Sequence, residues 1–135
     1  HLLCGGKADS TQMRATLLDG VTREMRIWHE ESFGPVKSVI RVNDEEEALA
    51  VANDSEYGLA AAVYSRDSAR AWNVAQNLQT GICHINGPTV HDEAQMPFGG
   101  CKSSGYGRFG GRAGIAEFTE LRWITMQTRP RELPF

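Results

Sequence analysis

From residue 36 onward the apolar positions switch repeatedly between strand and helix spacing, and each switch predicts an element. Val36-Lys37-Ser38-Val39-Ile40-Arg41-Val42 is rich in β-branched residues and predicts a strand. It ends at Asn43-Asp44, with Glu46 three residues after Asn43 in capping-box position, and a helix is expected from about Asp44 to Asn53. Glu45 to Glu47 then occupy the first turn, where the helix dipole favours negative charge. Tyr57-Gly58 breaks the pattern, and Leu59 to Tyr64 is a short apolar run suited to a strand covered on both faces. A second helix is expected from Asp67, its stripe formed by Ala71, Trp72, Val74, Ala75 and Leu78 and its end by Thr80-Gly81, with Gly81 as a left-handed C′ residue. Ile82 to Asn86 completes a β-α-β-α-β series with short links, which implies an α/β fold with a parallel sheet. Before it, Thr16 to Val21 reads as a strand and turn without a helix partner; after it, Phe118 to Gln127 alternates well enough for one more strand.

Composition adjusts this picture in two places. The chain has 135 residues, 41% hydrophobic and 23% charged, which fits one globular domain. Fourteen basic against seventeen acidic residues give −3, so no electrostatic footprint points to nucleic acid or an anionic membrane. No signal peptide or membrane span is visible. The opening His1-Leu2-Leu3-Cys4, without an initiator Met, suggests a piece of a longer protein. Three cysteines, Cys4, Cys83 and Cys101, make no C-x-x-C pair; their odd number suits reduced thiols in the cytoplasm. Half of the 14 glycines, from Gly99 to Gly114, fall within 16 residues and announce an unusual backbone there.

The candidate chemistry is uneven. Gly105-Tyr106-Gly107-Arg108-Phe109-Gly110 spells G-x-G-x-x-G, but no strand precedes it and no acidic residue ends the next strand, so a phosphate-cradling turn is disfavoured. A nucleophilic cysteine needs a base or positive surroundings; Cys83 adjoins His84, which alternation sends to the other face, and Cys4 has no readable partner. The same alternation argues against zinc. Two stretches are richer. Glu31 and Phe33 lie two residues apart, on one side of an extended segment, where a carboxylate can accept a ribose diol beside a ring that packs on a heterocycle. The loop from Asn86 to Gly100 leaves a parallel strand where open α/β sheets bind ligands.

Glu31-Ser32-Phe33-Gly34-Pro35-Val36, Ala52-Asn53-Asp54-Ser55-Glu56-Tyr57-Gly58-Leu59 and Pro97-Phe98-Gly99-Gly100-Cys101-Lys102-Ser103-Ser104-Gly105, in this order, resemble the C-terminal part of the NAD(P)-dependent aldehyde dehydrogenase superfamily. The resemblance runs from about Leu17 to Met126. Asn86-Gly87-Pro88-Thr89-Val90-His91-Asp92-Glu93-Ala94-Gln95-Met96, followed by residues 105–111, is similar to the branch that oxidises aromatic aldehydes such as salicylaldehyde, vanillin and benzaldehyde.

The resemblance implies an oxidoreductase in which a cysteine thiolate attacks the aldehyde, hydride passes to NAD or NADP, and water releases the acid. It implies that Glu31 and Phe33 bind the cofactor, and that Phe98 with Thr89, Val90 and His91 lines the substrate entrance. It divides the chain into a catalytic-domain portion, residues 1–117, and an oligomerisation strand and tail, residues 118–135, with Phe118 to Met126 pairing to a second subunit as dimer or tetramer. Departures accompany it. No cysteine here has the context of the family's nucleophile, so no catalytic residue is expected in this chain and inactivity alone is. Phe109 stands where many relatives carry a proton-relaying glutamate, and Cys101 reads as a packing substitution. The rival expectations are an assembly module without catalysis and a nucleotide-binding module built on Gly105 to Gly110.

Overall fold

The computed structural model describes residues 1–132 and residue 134. Its first layer is a three-stranded sheet in the order β1-β4-β5, in which β4 (Thr16–Asp19) lies between an antiparallel β1 (Leu2–Cys4) and a parallel β5 (Val36–Val39). Thr16 anchors the central strand: buried, it donates from Oγ1 to the Arg14 carbonyl at 2.9 Å and accepts the Gly6 amide at 2.8 Å. The tight hairpin of β2 (Ala8–Asp9) and β3 (Gln12–Met13) joins β1 to β4. A single turn of helix, α1 (Arg26–His29), stands in the crossover between β4 and β5.

Local side-chain chemistry fixes the two longer helices. In α2 (Glu45–Asn53) the cap is Asp44, whose Oδ1 accepts the Glu47 amide at 2.8 Å, while the Glu47 carboxylate reaches back to the Asn43 amide at 2.7 Å. The capping box is therefore one residue later than the expected Asn43–Glu46 pair: Asp44, in extended conformation, is the residue at the helix boundary. In α3 (Ser68–Asn77) Asp67 Oδ1 accepts the amides of Ala69 and Arg70 at 2.9 and 3.1 Å. Ala71 is the buried contact of α3 beneath its sheet, a parallel pair of β7 (Ala60–Val63) and β8 (Ile82–Ile85).

The expected single β-α-β-α-β sheet is corrected here. Among the described residues β5 pairs only with β4, and β7 only with β8, so the two parallel pairs belong to separate sheets. The cause lies between them: after α2, the chain forms β6 (Tyr57–Gly58), which pairs antiparallel with β9 (Cys101–Lys102), and this distant partner redirects the backbone before β7 begins. Gly81 is also not a left-handed helix end. Leu78 closes α3 in extended conformation, and Gly81 is needed because a Cβ there would overlap the Gly99 carbonyl oxygen.

At the C-terminal side, a helix absent from the sequence expectation, α4 (Gly111–Glu117), follows the glycine cluster; its cap Gly110 and first residue Gly111 have φ of 94° and 49°. The strand expected over Phe118 to Gln127 is not formed among the described residues. Phe118 is the C-cap of α4, and no backbone ladder reaches the residues after it. Alternation alone does not make a strand; its amides and carbonyls need a neighbouring ladder. Among the described residues Val21 and Ala71 are the buried hydrophobic side chains, and large apolar residues such as Trp72, Leu121 and Trp123 are exposed. No described helix is long and apolar enough to cross a membrane.

Candidate functional site

The end of β8 organises the first candidate site. Asn86 takes a left-handed φ of 56°, a conformation asparagine tolerates better than most residues. Its side chain accepts the Ser65 amide at 2.9 Å and donates to the Ser65 carbonyl at 3.0 Å, while its own amide donates to Val63 at 2.8 Å. These bonds lock the ends of β7 and β8 together and turn the chain into the loop of residues 87–100.

That loop folds back on β8 and encloses a cavity of about 310 Å³, within the range of small-molecule sites. Ile82, Cys83 and His84 form one wall, and His91, Asp92, Glu93, Met96, Pro97 and Phe98 the other. The imidazoles of His84 and His91 meet edge to face at 5.4 Å, and His91 Nε2 lies 3.3 Å from Glu93 Oε1. Of the residues expected at a substrate entrance, the structure brings His91 and Phe98 together in this cavity. Thr89 and Val90 are not among its walls, and the Val90 side chain points into solvent with 92% exposure.

Glu31 occupies a second cleft, of about 480 Å³, with Ala52, Tyr57, Leu59, Thr80 and Ser104. Thr80 borders this cleft and Gly81 the first cavity, so the two sites flank the start of β8. The neighbouring carboxylates differ in availability: Arg26 holds Glu30 with bonds of 2.8 and 2.7 Å, whereas Glu31 accepts no hydrogen bond among the described residues. The Tyr57 phenol is pushed above its ordinary pKa by Glu56, by partial desolvation and by Glu31. Phe33 is 97% exposed, so its ring faces open space rather than the interior. A free carboxylate and an uncovered ring two residues away fit a diol and a flat heterocycle.

Among the described residues none of the three thiols hydrogen-bonds a cationic or basic side chain. Burial pushes the Cys83 thiol up. Cys101 donates from Sγ to the carbonyls of Gln79 and Gly58 at 3.1 and 3.5 Å, and Cys4 lies exposed, 3.8 Å from the Ala15 carbonyl. Among the described residues no group of three or more His, Cys, Asp or Glu could hold a metal ion.

Residues 1–124 match the sequence model of the Aldehyde dehydrogenase family. The chain belongs to this family. It is 60% identical over 134 residues to a vanillin dehydrogenase of Pseudomonas fluorescens, covering 99% of this chain and 28% of that protein. The crystal structure of a salicylaldehyde dehydrogenase from Pseudomonas putida G7, complexed with salicylaldehyde, superposes with a TM-score of 0.92 at 51% identity, over all of this chain and 28% of that one. An aldehyde dehydrogenase from Mycobacterium tuberculosis complexed with NAD+ superposes with a TM-score of 0.81 at 38% identity, over 88% of this chain and 25% of that one. The chain thus spans little more than a quarter of the length of these aldehyde dehydrogenases, and its mixed α/β content agrees with theirs.

Within this aldehyde dehydrogenase segment, two family-like sequence stretches prove to be one structural unit. Lys102 Nζ donates to the carbonyls of Asn53 and Ser55 at 2.8 and 2.9 Å, capping the end of α2. The Ser103 amide donates to the Glu56 carbonyl, and the Gly58 amide to Ser104 Oγ at 2.9 Å. The sequence showed both stretches without showing that they touch. Asn86 and His84 were also missed as site residues; the asparagine ending an apolar run was the one available signal.

Proposed function

We propose that this chain is the C-terminal portion of the catalytic domain of an NAD(P)-dependent aldehyde dehydrogenase that oxidises aromatic aldehydes to their acids. Residues 1–117 belong to that domain, and residues 118–135 are an oligomerisation segment and tail, in which Phe118 to Met126 becomes a strand only against a second subunit's sheet. The observation that carries the reading is the cavity in which Phe98 and His91 face β8, at the end of a parallel strand, in a chain so similar to dehydrogenases of vanillin and salicylaldehyde. Its apolar walls suit a benzaldehyde ring.

In this reading Glu31 and Phe33 hold the nicotinamide half of NAD or NADP: the carboxylate accepts the ribose hydroxyls, and the ring packs at the nicotinamide end. Bound there, the cofactor supplies the hydride acceptor. Phe98 and His91 border the aldehyde, with Thr89 and Val90 outside them on the entrance loop. No catalytic residue lies in the chain: the thiols are an exposed one, a desolvated one and one tied to two carbonyls, and none has the surroundings that stabilise a thiolate. The chain alone is therefore inactive.

NAD reduction with salicylaldehyde, measured on the full-length protein and on this chain, tests the reading. Turnover by the full-length protein and none by the chain is expected. No turnover by the full-length protein would sink the enzyme assignment, and turnover by the chain would refute the absent nucleophile.

The exposed tail favours a second reading, in which the segment serves assembly without catalysis of its own. Leu121 and Trp123, one strand period apart, are fully or nearly fully exposed. An alternating apolar segment without a ladder is suited to another chain's sheet edge.

A further inference from the structure

One residue lining the first cavity carries a buried polar atom without a partner. His84 Nε2 is closed off from water and finds no hydrogen-bond partner among the described residues. Buried imidazole nitrogens are ordinarily satisfied, and an exception calls for a partner supplied from elsewhere. The atom belongs to a wall residue of the cavity between β8 and the loop of residues 87–100, where Ile82, Met96, Pro97 and Phe98 are apolar.

What stands against His84 is another aromatic ring with a polar edge. The His91 imidazole packs on it at 87° and 5.4 Å between centroids. His91 is lightly held: its contact with Glu93 is 3.3 Å long, and both side chains are about half exposed. The cavity therefore already docks a flat ring against His84, on a loop residue that can turn away.

We propose that His84 is a specificity-determining residue, whose Nε2 hydrogen-bonds the hydroxyl of a ring-hydroxylated benzaldehyde seated where the His91 imidazole now packs. This rests on the aromatic-aldehyde reading of the same cavity and adds to it the polar substituent being read and the atom that reads it. A neutral imidazole nitrogen accepts a phenolic O–H or, in the other tautomer, donates to its oxygen, so either tautomer satisfies the pair. Ile82, Met96, Pro97 and Phe98 cover the ring itself, and the other polar side chains of the lining, Asp92 and Glu93, lie on the loop side with His91, across from β8. An unsubstituted ring fills the same space and leaves Nε2 unpaired.

The test uses the full-length protein with benzaldehyde and its 2-, 3- and 4-hydroxy derivatives. His84→Leu should lower kcat/KM about five- to tenfold more for at least one hydroxylated aldehyde than for benzaldehyde. His84→Gln, which keeps a hydrogen-bonding group, should recover part of that loss. Equal losses for all four aldehydes, with or without a folding defect in His84→Leu, would overturn the proposal. A second readout is independent of turnover: the ¹⁵N resonance of His84 Nε2 should shift on saturation with phenol and stay in place with benzene. A shift with phenol in a protein that oxidises no aldehyde would keep the proposal and remove the enzymatic reading beneath it; the same response to both rings would remove the proposal.

Discussion

Phe98 and Phe109 exchange both of their backbone hydrogen bonds, at 2.7 and 2.8 Å, although they lie on opposite arms of the glycine cluster. In such a pair the two side chains leave the same face of the bridge. The Phe109 ring in turn meets Phe118 at 6.1 Å, tilted by 52°. The glycine-rich stretch is thus a clasp that positions a cavity wall residue, and the three glycines of its G-x-G-x-x-G spelling, Gly105, Gly107 and Gly110, all take positive φ.

Gly81→Val should destabilise the protein by about 1–3 kcal/mol, since the new side chain would overlap the Gly99 carbonyl, a backbone group rather than the flexible end of a side chain. Urea unfolding of the full-length variant measures it. A midpoint unchanged from wild type would show that the close approach is not needed.

The Arg41 guanidinium holds the Asp19 carboxyl below its ordinary pKa through bonds of 2.6, 3.0 and 3.2 Å. A depressed folded-state pKa contributes stability that is fully present above the unfolded value, about 3.9, and is lost as pH falls through the folded value. Arg41→Ala should raise the Asp19 midpoint toward about 3.9 in a carboxyl NMR titration, and should flatten the acid limb of stability below that pH. An Asp19 midpoint unmoved by the substitution would reject the pairing as its cause.

Cys4 should be alkylated well before Cys83 when the folded chain is treated with iodoacetamide, because Cys4 is exposed and burial raises the Cys83 thiol. Peptide mass spectrometry against time gives the order. Raising the pH should narrow the gap, as the Cys83 thiolate becomes populated. Simultaneous labelling at neutral pH would contradict the desolvated site.

Leu121→Glu combined with Trp123→Glu should reduce self-association, since both side chains are solvent-facing in the isolated chain and would be covered in an assembly. Light scattering across a concentration series would read the change. A wild-type chain that stays monomeric at high concentration would remove the assembly role of residues 118–126.

What the sequence made legible was set by neighbours in the chain. Asp67 and Asp44 cap helices through amides two or three residues away, so the helix starts could be read within one residue. The sheet order could not, because the Tyr57–Gly58 pairing with Cys101–Lys102 spans more than forty residues and leaves no periodic trace. Gly81 illustrates the same limit: a glycine after a helix resembles a left-handed end, while its actual cause is the backbone of Gly99. For the site, His91 and Phe98 lie on the loop that composition singled out, but His84 was masked by the alternation of a strand that also carries Cys83.

The cap supplied by Lys102 to the carbonyls of Asn53 and Ser55 also has a temporal side. The donor follows Asn53 by 49 residues, so a ribosome adding about 5–20 residues per second delivers it roughly 2–10 s after the helix it closes. Through that period the first sheet can assemble from its own strands, while the end of α2 stays open to water and to chaperones. Completion of this unit therefore waits for the synthesis of Lys102, and the segment around it acts as the closing signal.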